Sequence, residues 1–176
     1  GSSVSWRDCS PDTSINPVPS SAFTGAMKTG ACTKRWPRAF QRATVFLLDL
    51  GHARIALING LEYMDFAIRR RSGYVDALAA RGIQADGALM TSDQMTEVAG
   101  FEAAQSMLAS PEPPTAFLVA SMISVMGVRR AIEAKGLVMG RDASVIIHDD
   151  DLSYLKNGDA VPIFTATRSS VREAGR

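Results

Sequence analysis

Cysteine is almost missing from this chain of 176 residues: there are two, Cys9 and Cys32, both within the first 40 positions. Without a dense cysteine framework a disulfide-stapled fold is excluded, and the pair is expected to stay reduced. Neither has a second Cys or a His at zinc-finger spacing. Histidine is equally scarce, with only His52 and His148. Excess charge of one sign is also lacking, since 19 Lys and Arg meet 18 Asp and Glu for a net charge of +1. A strongly basic nucleic-acid coat is therefore ruled out. No apolar run approaches the roughly 18 residues that a membrane span needs. Gly25 and Gly30 have the glycine spacing of a phosphate-binding loop, but Ala31 and Cys32 stand where Lys and Ser or Thr are required. No GxGxxG follows the first strand candidate, and there is no GxSxG nucleophile elbow. Enzymatic chemistry has no evident seat, so the chain reads as a non-enzyme, and no cofactor is expected.

What is present is the material of one globular domain, with 46% hydrophobic and 21% charged residues. Its two parts differ in texture. Residues 1–38 carry both cysteines, both tryptophans and four of the eight prolines, and no apolar periodicity persists through them. They read as an irregular lead-in, with Gly1-Ser2-Ser3 resembling a cloning scar and no signal-peptide pattern. His52 follows Gly51 at the end of a helix candidate and is expected to serve in closing that helix.

From residue 39 onward, short apolar runs alternate with amphipathic segments. Phe40, Ala43 and Leu47 recur at helical spacing over about 39–50, with Gly51 as the stop. Ile55-Ala56-Leu57-Ile58 is apolar on both faces, as in a buried parallel strand. The segment 65–81 reads as helix. Ala88-Leu89-Met90 is the next strand candidate and 96–109 the next helix, with Phe101, Ala104 and Leu108 on one stripe. Pro111-Glu112-Pro113-Pro114 then forbids helix. Ala116-Phe117-Leu118-Val119 is a strand, 123–135 a helix ending at Gly136, and Val145-Ile146-Ile147 a strand. A last apolar run is Ile163-Phe164. Strand candidates thus recur at about 30 residues, the length of one strand-helix-strand unit. The fold class is α/β, a Rossmann-like parallel sheet with helices on both faces.

Such a sheet binds ligands beyond the carboxyl ends of its strands. After the first strand comes Arg69-Arg70-Arg71, of which at most one or two can face a crevice, because successive helical side chains point about 100° apart. A guanidinium there either solvates a helix face or grips paired oxygens. After the second strand, Ser92, Asp93 and Thr96 suit a helix cap, and Met95 would pack against the apolar face of a ligand. Ser121, after the third, is a cap, a ligand hydrogen bond, or both. After the fourth stands His148-Asp149-Asp150-Asp151, which could hold a divalent metal or accept from ligand hydroxyls.

Leu48-Asp49-Leu50-Gly51-His52-Ala53-Arg54-Ile55-Ala56-Leu57-Ile58, then Arg71-Ser72-Gly73-Tyr74 with Asp76-Ala77-Leu78, resembles the LacI/GalR family of bacterial sugar-responsive repressors. So do Pro111 to Ala116, Gly127-Val128-Arg129-Arg130-Ala131-Ile132, Ser144-Val145 with Asp149-Asp150, and Thr165-Ala166-Thr167-Arg168 through Gly175-Arg176. The stretch 148–155 is similar to a branch associated with α-glucoside use. The resemblance implies a sugar-sensing domain of the type I periplasmic-binding-protein class. Residues 39–176 would form an effector-binding fragment, mostly the C-terminal subdomain, and residues 1–38 would lie outside the family pattern, as if read out of frame. It implies a ligand-binding set of Arg70, Met95, Ser121, Asp149 and Ser169. Met122 departs from the family, where an acid is usual.

The function so implied is a cytoplasmic repressor fragment that binds a small sugar, an α-glucoside by the branch resemblance. It would dimerise with a second copy, and it would reach operator DNA only through a helix-turn-helix domain not contained in these residues. No membrane partner and no metal are expected. Two alternatives stay open: a periplasmic sugar receptor of a transport system, and a metal-dependent α/β enzyme using the acids at Asp149.

Overall fold

The computed structural model describes residues 39–149, 157–158 and 161–168. The lead-in 1–38, Asp150, Asp151 and Ser169 lie outside the described residues. In chain order the elements are α1 (Ala39–Asp49), β1 (Ile55–Asn59), α2 (Asp65–Ala79), a 3-10 turn (Gly87–Leu89), β2 (Met90–Ser92) and α3 (Glu97–Leu108). They continue with β3 (Ala116–Val119), α4 (Met122–Ala134), β4 (Ser144–Asp149) and β5 (Thr165–Arg168). The five strands form one sheet in the order β2-β1-β3-β4-β5, and every neighbouring pair is parallel.

Strand periodicity sorts the core into two layers, because successive side chains of a strand point to opposite faces. Ile55, Leu57, Leu118 and Ile146 point to one face, where they pack with Phe40, Leu47, Tyr74 and Leu78 of α1 and α2. Ala56, Ile58, Phe117, Val119, Val145 and Ile147 point to the other, where α3 and α4 supply Ala104, Leu108, Val125, Val128 and Ile132. Both faces of β1 and β3 are covered, which is why these strands read as unbroken apolar runs. Met122, the departure from the family pattern, is buried in the second layer.

The helix ends follow from local chemistry. Gly51 takes φ +92°, and the amides of Gly51 and His52 donate to the carbonyls of Leu48 and Leu47. This is the reversal that closes a helix on a left-handed glycine. Gly136 ends α4 in the same way, with Leu137 N–H donating to the Ile132 carbonyl. Thr96 and Ser121 cap α3 and α4 by accepting from the amides of Ala99 and Ser124.

The two edge strands depart from expectation. Residues 87–89 are a 3-10 turn whose start is capped by Asp86, so β2 begins at Met90 and runs to Ser92. Ile163-Phe164 only leads into β5, which is the polar stretch that follows. Asn157 pins that lead-in: its side-chain amide donates to the Phe164 carbonyl at 2.7 Å, and its carbonyl accepts from Phe164 N–H at 2.8 Å. His52 does more than finish a helix. Its ring nitrogens lie 2.9 Å from Thr115 Oγ1 and 2.9 Å from Ser144 Oγ, tying the starts of β3 and β4 together at the rim opposite the strand ends.

Candidate functional site

All five strands run the same way, so their carboxyl ends share one rim. Register fixes which residues stand level there: Thr91 pairs with Ile58, Ile58 with Val119, Val119 with Ile147, and Ile147 with Ala166. Ser121 and Asp149 each lie two residues beyond the paired Val119 and Ile147, on strands spaced about 4.8 Å apart. Chain direction across the sheet reverses between β1 and β3, since β1 is followed outward by β2 and β3 by β4. The crevice of a doubly wound sheet opens at that switch point. Gly60 and Ser121 flank it.

The loop after β1 is tied down before α2 starts. Asn59, 3% exposed, donates from its amide to the Ala67 carbonyl at 2.8 Å. Its side-chain Oδ1 has no hydrogen-bond partner among the described residues. Ser92 Oγ donates to the Gly60 carbonyl at 3.1 Å and accepts from Glu62 N–H at 3.0 Å, joining the ends of β1 and β2. These bonds set the rotational phase of α2 and so decide which arginine faces the rim.

That arginine is Arg70. Arg69 is exposed and pairs with Asp65 at 2.6 Å, one turn away. Arg71 pairs with Glu62 at 3.4 Å. Arg70 is half-buried, with its guanidinium carbon 4.8 Å from the Phe66 ring centre and 5.4 Å from the Phe40 ring centre. Phe40 in turn meets the His148 ring at 5.9 Å between centroids. Arg70 is thereby linked, ring by ring, to the end of β4 where Asp149 follows.

Met95, half-buried, lies against Gly60: a Cβ on that glycine would stand 3.2 Å from Met95 Sδ and 3.5 Å from Phe66 Cε2. Ser121 Oγ accepts from Ser124 N–H at 3.1 Å and donates to Ser124 Oγ at 3.1 Å, so it caps α4 at the rim. Asp149 is buried at 7% exposure. Arg70, Met95, Ser121 and Asp149 thus share the strand-end rim, and Ser169 lies outside the described residues. Strand-end reasoning reaches Asn59 and Gly60 without giving them a role, and it missed Phe40 and Phe66. Of these two, Phe66 carried a readable signal, four residues before Arg70 on one helix.

Of the acids on which the metal alternative rests, Asp149 is described, while Asp150 and Asp151 lie outside the described residues. Among the described residues no group of three or more His, Cys, Asp or Glu is placed to hold an ion, and none of the helices is long and apolar enough to cross a membrane. Among the described residues the rim offers the Arg70 guanidinium, hydroxyls, the buried Asp149 carboxylate and an apolar shelf of Met95 and Phe66. That set suits a small polar molecule with both hydroxyls and apolar faces.

A doubly wound parallel sheet with a polar rim at the switch point defines a Rossmann-like α/β domain. Residues 44–176 match the family described as a periplasmic binding protein-like domain. Over 137 residues the chain is 47% identical to the HTH-type transcriptional regulator AglR of Rhizobium meliloti (strain 1021), covering 78% of this chain and 38% of that protein. It is similar to the solved structure of a LacI family transcriptional regulator from Mycobacterium smegmatis, with 31% identity and a TM-score of 0.60 over 67% of this chain and 46% of that one. It is likewise similar to the transcriptional regulator CelR in complex with cellobiose, with 30% identity and a TM-score of 0.61 over 65% of this chain and 35% of that one. The chain belongs to the periplasmic binding protein-like domain family, in the form carried by LacI-family regulators. It spans under two fifths of the length of the curated relative AglR.

Proposed function

We propose that residues 39–176 are the effector-sensing portion of a LacI-type transcriptional repressor, chiefly one of its two subdomains, and that the effector is a small sugar. The observation that carries this reading is the convergence of Arg70, Ser121 and Asp149 at a single strand-end rim beside the topological switch point. The carboxylate accepts from sugar hydroxyls, the guanidinium donates to ring or hydroxyl oxygens, and Met95 covers an apolar ring face. Ser169, next after β5, would complete the set. Support for the regulator comes from the helix-turn-helix type of the AglR relative and from the cellobiose bound by CelR. The similarity of 148–155 to the α-glucoside branch makes α-glucosides the first class to test.

Sugar binding would shift a two-state arrangement of subdomains and so alter DNA affinity in a separate helix-turn-helix domain. The working form is a cytoplasmic homodimer without enzymatic activity. With a net charge of +1, this chain itself offers little counterion release and should bind DNA weakly. One lip of a cleft also binds less tightly than two.

The test is a nitrogen-15 NMR titration of the chain with maltose, sucrose and trehalose. Millimolar-range shifts confined to the amides near Arg70, Met95, Ser121 and Asp149 are expected, and Asp149→Asn should weaken them. Shifts confined to the opposite rim around His52, or none with any of the three sugars at 100 mM, would refute the assignment.

A further inference from the structure

Of three consecutive arginines, only the middle one rests on aromatic rings. Arg70 has its guanidinium carbon 4.8 Å from the centre of Phe66, one turn earlier on α2, and 5.4 Å from that of Phe40 on α1. Both lie inside the roughly 6 Å within which a cation is drawn to a ring face. The two rings differ in kind. Phe40 is 1% exposed and locked in the core, and it also meets His148 at the end of β4. Phe66 is 39% exposed and adds little to either core layer, its neighbours being Arg70 and the Gly60–Met95 shelf.

A long arginine side chain gives up considerable rotamer freedom when it grips a ligand, and a side chain already held in place gives up less. A guanidinium held against rings keeps its N–H donors in its own plane, the geometry in which paired oxygens are met. We infer that Phe40 and Phe66 are positioning residues for Arg70: a two-ring clamp that fixes the guanidinium in advance, so that its donor edge meets the hydroxyls of a polar ligand in one orientation. The inference rests on the reading of Arg70 as a ligand-gripping residue. Phe40 supplies a rigid wall tied to the Asp149 strand end, and Phe66 is the exposed second contact, beside Met95 at Gly60.

The test uses the exposed ring, whose removal spares the core. In the full chain, the Arg70 side-chain Nε–H signal is followed by NMR in wild type, Phe66→Leu and Phe66→Tyr, with melting temperatures recorded for each. In wild type the signal should be shifted upfield by the rings and ordered. Phe66→Leu should lose much of that shift and become mobile at a nearly unchanged melting temperature, and Phe66→Tyr should restore both features. Maltose affinity should fall by about 2-fold to 30-fold in Phe66→Leu and return in Phe66→Tyr. An Arg70 signal that is the same in Phe66→Leu as in wild type overturns the clamp, whatever the sugar result. So does maltose binding that is unchanged in Phe66→Leu but lost in Arg70→Ala, an outcome that leaves the sugar-binding reading intact. Maltose binding unchanged in Arg70→Ala removes the ligand role of Arg70 itself and the purpose of the clamp with it.

Discussion

The crossing of α3 and α4 is a close fit made by two glycines. A Cβ on Gly127 would stand 1.9 Å from the Glu97 carbonyl oxygen and 2.5 Å from Phe101 N, while one on Gly100 would stand 2.2 Å from the Ser124 carbonyl oxygen. Each helix therefore presents a bare backbone to the other. Carbon-to-oxygen contacts settle at about 3.3 Å, so Gly127→Ala must drive the helices apart locally by about 1.4 Å. The obstructing atoms are backbone and cannot swing aside. Separation would loosen Val125, Val128 and Ile132 of α4 against the sheet face they cover. Overpacking of this kind costs about 1–3 kcal/mol, and the rigidity of the obstacle argues for the upper part of that range. Against it stands the higher helix propensity of alanine, about 1 kcal/mol. The net expectation is a destabilisation of about 2 kcal/mol, or about 4–8 °C in melting temperature for a chain of this size. Urea unfolding followed by far-ultraviolet circular dichroism should show a lower midpoint at an unchanged slope. Gly100→Ala should behave alike, and the double variant should cost less than the sum, because one separation relieves both contacts. Gly127→Ala as stable as wild type, or more so, would mean that propensity outweighs the crossing and would refute the reasoning.

Three further perturbations separate structural from ligand roles. Tyr74, fully buried, donates its hydroxyl to the Ile55 carbonyl at 2.7 Å, and burial, with Asp86 nearby, pushes its pKa from 10.0 up to about 12. The neutral phenol is the folded form, so its contribution is complete below pH 10 and lost as pH rises toward 12, by about 1.4 kcal/mol per pH unit. Tyr74→Phe should cost about 1 kcal/mol at neutral pH and remove this loss from the pH dependence of stability measured by urea unfolding. His52→Ala, which frees Thr115 and Ser144, should lower stability by about 1 kcal/mol in the same assay while leaving sugar titrations at the far rim unchanged. Ser121→Gly should keep α4 capped to within a few tenths of a kcal/mol, so a loss of sugar binding in that variant at near-normal stability would assign the hydroxyl to the ligand.

The central strands were legible because burial on both sides leaves them no polar residue to confuse the pattern. Ala116–Val119, set off by two prolines, is the strand that its apolarity predicts. The edges were not. Among the described residues β2 and β5 each pair on one side only, so Thr91, Ser92, Thr165 and Thr167 serve there as well as apolar residues would, and nothing in their hydropathy marks a strand. The apolar Ala88 and Leu89 belong instead to a turn set by Asp86. At the site, strand ends located Ser121, Asp149 and Met95, since in a parallel sheet the loop after each strand must reach the common rim. The choice among three arginines was beyond strand-end reasoning and came only from the family resemblance, which names Arg70. It depends on the phase of α2, which Asn59 and Ser92 fix through bonds to Ala67, Gly60 and Glu62. Phe66 could have been paired with Arg70 by its spacing of four on one helix. Phe40 could not, because its meeting with Arg70 exists only once α1 and α2 lie side by side on the same face of the sheet. The strand-end geometry was thus written locally, and the environment of Arg70 was written in the packing of two helices.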